Sequence, residues 1–166
     1  KGFNPFIPGD ENASSIPIAV LKYEVTNTSA QPLEISVAGT MRNFIGIDGS
    51  IQYKNWKGDL EYGGAKNNQN RFVQTNDVQG IFMWSDSVEK INPAWGTIAL
   101  ATTEKDNVSY RKSSTPNDWE NAILDFWDDF TDDGMLADKT SIVDNNPMAS
   151  LCVKKKIAAG KTATFT

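Results

Sequence analysis

The sequence predicts a mainly β protein, a two-sheet antiparallel β-sandwich with one principal amphipathic helix near the C-terminal third. Three observations carry that expectation. Apolar and polar residues alternate through Leu21–Thr26 and again from Leu33 to Met41, the period of a strand with one buried face. Further short runs rich in branched and aromatic residues recur down the chain between clusters of turn formers. One stretch after Pro116 breaks this rhythm and takes up the helical period. The chain has 166 residues, the length of one domain, and at this size folding removes roughly 70% of the unfolded surface from water. One β-sandwich domain over residues 1–166 is therefore expected.

Leu21, Tyr23 and Val25 face one way, and Lys22, Glu24 and Thr26 the other. Leu33, Ile35, Val37 and Met41 repeat the pattern against Glu34, Ser36, Thr40 and Arg42. Between the two runs, Asn27 to Pro32 are turn formers, so an antiparallel hairpin is expected there. Other strands are expected at 43–47, 71–75, 80–85, 96–102, 108–111, 148–157 and 162–166, the last two joined by a turn at 158–161. Residues 52–70, rich in Asn and Gly, show neither period and read as a long ordered loop. The helix is expected from Pro116 to Thr131. Thr115 suits its N-cap, Pro116 its first position and Gly134 its stop. Trp119, Ala122, Ile123, Phe126, Trp127 and Phe130 form one apolar stripe, so burial of Trp119, Ile123, Phe126 and Phe130 is expected.

Composition removes whole classes of chemistry. There is no histidine, which excludes Ser-His-Asp and Cys-His catalysis and His-ligated zinc. The single cysteine, Cys152, excludes an internal disulfide and any Cys-cluster metal site. A net charge of −5 argues against a nucleic-acid partner or an anionic membrane surface. No run approaches the roughly 18 apolar residues of a membrane span. A mean hydropathy of −0.43 places the chain among ordinary globular domains. No cofactor is expected. The chain opens without a leader and stops inside a strand-like pattern, so it reads as a piece of a longer protein, with any leader outside it and its compartment, export included, left open.

Charge is segregated. Residues 117–138 hold eight acids and no base, whereas 139–166 hold one acid and five bases, among them Lys154-Lys155-Lys156. Asp125, Asp128, Asp129, Asp132 and Asp133 read either as a solvated helix face or as a cation site, though without the spacing of a calcium loop. Acids at a helix C-terminus oppose its dipole, so something must compensate: the lysines, a cation or a partner surface. Carboxylate pairs suit glycoside hydrolysis, but among 21 acids some pair always looks suitable. Tyr53, Trp56 and Tyr62 are candidates for sugar stacking; Trp84 and Trp95 could join them but sit in strand contexts that favour the core.

The opening Gly2-Phe3-Asn4-Pro5-Phe6-Ile7-Pro8, with Ser14-Ser15-Ile16-Pro17-Ile18-Ala19, resembles the start of the N-terminal domain of glycoside hydrolase family 116. That family includes the non-lysosomal glucosylceramidase, or bile-acid β-glucosidase. The resemblance continues through Met41-Arg42-Asn43 with Gly46, then Trp127-Asp128-Asp129-Phe130 with Gly134 and Leu136, and a closing strand pair around Gly160. It implies a two-sheet β-sandwich followed by an (α/α)6 catalytic barrel that carries the nucleophile and acid/base carboxylates of a retaining β-glucosidase. No barrel motif occurs here, so no catalytic residue carries over. The expectation is a non-catalytic domain that packs on and supports the barrel of the same polypeptide, with a glycan or glycolipid as the parent's substrate. Trp127, Asp128, Asp129, Phe130, Asp132 and Asp133 are the candidate domain interface. The alternatives are a stand-alone carbohydrate-binding module using the aromatic Asn/Gly-rich loop and a purely structural interaction domain.

Overall fold

The computed structural model describes residues 1–54, 58–114, 122–138 and 145–166. Trp56, Trp119 and the expected helix cap at 115–118 lie outside these residues. In chain order the elements are β1 (Gly2–Phe3), α1 (Glu11–Ser14), β2 (Val20–Leu21), β3 (Tyr23–Thr26), β4 (Leu33–Arg42), β5 (Ile51–Lys54), β6 (Leu60–Tyr62), β7 (Asn68–Gln74), β8 (Gln79–Ser85), β9 (Ile98–Thr102), β10 (Val108–Arg111), α2 (Ala122–Asp133), β11 (Met148–Ile157) and β12 (Thr162–Phe165). The protein is mainly β with several antiparallel sheets, and its longer helix lies in the C-terminal half. The chain divides into two compact units, residues 1–35 with 155–166, and residues 36–154.

In the unit that holds both termini, β1 pairs with β2 and β3 with β12. The hairpin expected between β3 and β4 does not form, since β3 takes β12 and β4 takes β11 as its neighbour. Asn27 supplies the reason. Its N–H donates to the Lys161 carbonyl at 2.9 Å, and its carbonyl accepts from the Gly160 N–H at 2.9 Å. Its side-chain amide donates to the carbonyls of Gln31 and Ile157, at 2.8 and 2.9 Å. This buried asparagine ties the 27–32 loop to the turn before β12, so backbone satisfaction is completed across the chain and not within a local hairpin.

The larger unit contains the sandwich. One sheet has the order β10-β11-β4 and the other β7-β8-β9. Strand alternation sends Ile81 and Met83 of β8 inward against Ala149 of β11, with Met41, Phe72, Ile98, Leu100 and Tyr110 packed around them. Phe72 and Tyr110 stack across this core, ring centroids 4.1 Å apart. Burying a side chain of this size contributes about 2 kcal/mol. Along β8 the opposite alternation turns Phe82 and Trp84 outward, and Trp95 stands partly exposed on the β8–β9 connection. The two tryptophans are therefore not core residues, contrary to their strand contexts.

Two sequence expectations in this unit are corrected. Residues 43–47 form a turn, with the Ile47 N–H on the Phe44 carbonyl, because Asn43 is consumed by side-chain bonding. Its buried amide donates to the Gln69 and Trp84 carbonyls and to Asn70 Oδ1, all at 3.0–3.1 Å, while Asn68 donates to the Asn43 and Ile45 carbonyls. Residues 52–70 are not one loop either. The β5–β6 hairpin occupies part of them, with Ile51 opposite Tyr62, and β7 begins at Asn68.

From Ala122 onward helix α2 forms within the expected stretch and runs to Asp133, and Gly134 follows it with a φ of 74°. The Gly134 N–H donates to the Phe130 carbonyl at 3.0 Å, and the Ser36 hydroxyl donates to the Gly134 carbonyl at 2.6 Å. Its expected packing is corrected. No α2 residue is fully buried, Ile123 is 63% exposed, and Phe126 and Phe130 are only half-buried. Sheet β10-β11-β4 meets the helix through Arg111, and Ser36, Ser109 and Cys152 meet the Gly134–Met135 segment that follows it.

Candidate functional site

The contact between α2 and its sheet is built on one cation. Arg111 ends β10 with its side chain wholly removed from solvent. Its Nη1 lies 2.7 Å from Asp125 Oδ2 and its Nη2 lies 2.8 Å from Asp129 Oδ2. The two aspartates are four residues apart, one helical turn, so a single guanidinium spans both. Its Nη2 also donates to the Asp125 carbonyl at 3.3 Å, and the guanidinium lies 6.0 Å from the centre of the Phe126 ring. Lys154 Nζ donates to the Asp133 carbonyl at 2.8 Å, placing a positive charge on the negative end of the helix dipole. These contacts answer the crowding of acids. Lys155, from the same basic run, donates to the Thr164 carbonyl at 2.6 Å.

Anchoring through Asp125 and Asp129 turns a different helical face outward. Ile123, Leu124 and Trp127 are 63%, 58% and 50% exposed, and Asp128 and Asp132 stand exposed beside them. Trp127 is braced edge-on by Phe126 and Phe130, at centroid distances of 5.8 and 5.9 Å. Ile123, Phe126 and Trp127 wall a groove of about 580 Å³ whose other sides include Thr40, Arg42 and Met148. Of the residues singled out in the sequence, Trp127, Asp128 and Asp132 thus share an outer face. Asp129 is turned to Arg111, Phe130 stacks on Phe126, and Asp133 accepts the Met135 N–H at 2.8 Å.

The other aromatics fall into two groups. Tyr53 and Tyr62 are exposed on the β5–β6 hairpin. Phe82 and Trp84 stack on the outer face of β8, their rings 5.7 Å apart and tilted by 28°, and Trp95 borders the same pocket.

Asp125 and Asp129 do not form a glycosidase pair. A glycosidase needs two carboxylates flanking an open site, whereas Asp125 and Asp129 are drawn onto one guanidinium. Among the described residues no group of three or more His, Cys, Asp or Glu side chains could hold a metal ion. Burial pushes the Cys152 thiol above its usual pKa, and its Sγ sits 3.5 Å from the Gly134 carbonyl, so it is a packed thiol and not a nucleophile. No helix among the described residues is long and apolar enough to cross a membrane.

The larger unit is thus a pair of three-stranded sheets with a helix held on one of them through Asp125 and Asp129. Residues 1–166 match the model described as beta-glucosidase 2, glycosyl-hydrolase family 116 N-term. The chain belongs to that family, the N-terminal domains of family 116 glycoside hydrolases. Arg111 is the residue that sequence reasoning missed. The available signal was a lone arginine closing a strand immediately ahead of the acidic segment.

Proposed function

We propose that this domain is a non-catalytic support for the catalytic domain of a glucosylceramidase-like β-glucosidase, docking through the outward face of α2. The observation that carries the reading is the grouping of Ile123, Leu124 and Trp127, all at least half exposed, on a helix that the Arg111 clamp holds with that face outward. Large apolar side chains grouped in solvent mark interaction surfaces, and interfaces of this kind join buried aromatics to a polar rim. Asp128 and Asp132 supply that rim. The glycan or glycolipid substrate belongs to the partner domain.

Two measurements test this reading. The 166-residue chain should not hydrolyse aryl β-glucosides; turnover that vanishes on mutation of one of its Asp or Glu residues would refute the support role. Charge reversal by Asp128→Lys with Asp132→Lys should lower the melting temperature of the intact parent and leave that of the 166-residue chain nearly unchanged. Equal losses in both would place these acids in internal stability alone.

A further inference from the structure

We propose that the pocket on the outer face of sheet β7-β8-β9 binds an anionic saccharide, a pyranose bearing a carboxylate or a comparable acidic group. Strand alternation puts Phe82 and Trp84 side by side on the face away from the core, and the β8–β9 connection adds Trp95. The Trp95 loop is held in place, since the Gly46 N–H donates to the Ala94 carbonyl and the Trp95 N–H to the Asn92 carbonyl, both at 2.9 Å. Trp84 is fixed by its indole N–H, which donates to Asp86 Oδ1 at 2.7 Å. The cavity measures about 380 Å³, within the usual range of small-ligand sites. Phe82 and Trp95 remain 37% and 42% exposed, an apolar surface that stays hydrated until something covers it.

Charge selects the ligand. The lining contains Arg71 and Lys90 and no acid, in a chain whose net charge is −5. Arg71 lies 6.0 Å from the Trp84 ring and Lys90 lies 5.9 Å from the Trp95 ring, and neither makes an ion pair among the described residues. Each cation thus sits beside an indole with hydrogen-bond donors to spare. A pyranose presents an apolar C–H face to this aromatic lining and carries its acidic substituent toward the two cations.

The test titrates the 166-residue chain with methyl β-glucuronide, methyl β-glucoside and AMP, following tryptophan fluorescence and saturation-transfer NMR. The glucuronide should bind in the millimolar range, about tenfold more tightly than the glucoside, the worth of one charge-assisted hydrogen bond. Arg71→Gln and Lys90→Gln, exposed-face changes that leave the core intact, should remove that preference. Trp95→Ala should weaken binding of both sugars. The proposal is overturned if the glucuronide does not bind, if the two sugars bind equally, if the preference survives both glutamine substitutions, or if AMP binds more tightly than the glucuronide. None of these outcomes bears on docking through α2.

Discussion

Replacing Arg111 by methionine should destabilise the domain by about 3 kcal/mol, read as a lower urea midpoint. The guanidinium is wholly buried, and the carboxylates it spans are 31% and 26% exposed. Removing it leaves Asp125 and Asp129 one turn apart, partly desolvated and repelling each other. Breaking a fully buried pair costs about 3–5 kcal/mol, and the partial exposure of both acids puts this case at the low end. Adding Asp125→Asn and Asp129→Asn to Arg111→Met should recover part of the loss, because no uncompensated charge then remains. A loss below about 1 kcal/mol in the single variant would mean that the clamp does not hold α2 to its sheet.

The second large effect is expected at Gly64. Its φ is 98°, a region that L side chains rarely adopt, and a Cβ there would collide with the Gly46 carbonyl oxygen. The same Cβ would lie 2.9 Å from Asp48 Cγ and 3.0 Å from Asp48 N. Gly46 is itself at a φ of 86°, its own Cβ direction closed by Gly64 and Val88. These two backbones therefore pass too closely for any side chain. Gly64→Ala combines a left-handed penalty of about 1–2 kcal/mol with overpacking of about 1–3 kcal/mol, so a loss near 3 kcal/mol is expected in the same urea assay. Because the Gly46 N–H anchors the Ala94 carbonyl, the Trp95 loop should loosen with it. Gly9→Ala is the control: its φ is also positive, but nothing lies within 4 Å of the added carbon. A Gly64→Ala loss no larger than that of Gly9→Ala would contradict the close approach.

The sequence disclosed strands more readily than partners. Alternation located β3 and β4 because a half-buried strand writes its two faces into every second residue, and short apolar runs located β8 and β11. It could not announce that β3 joins β12, since that choice rests on Asn27 reaching residues 130 or more positions away. The Asn43–Asn68–Asn70 network was hidden for the same reason: amide hydrogen bonds between distant segments leave no period. Helix α2 shows a subtler limit. Its apolar stripe was legible, but a stripe does not say what covers it. Here Arg111 decides the orientation by bonding Asp125 and Asp129. What looked like a core stripe is partly an outer surface, and Trp127 stands on it.

That surface is where the central claim is exposed to a direct measurement. Hydroxyl-radical footprinting compares the reactivity of the Trp127 ring in the 166-residue chain and in the intact parent enzyme. If α2 docks on the catalytic domain, Trp127 should be oxidised readily in the chain, where it is 50% exposed, and strongly protected in the parent, with Ile123 and Leu124 protected alongside it. Equal oxidation of Trp127 in the two proteins would contradict docking through this face.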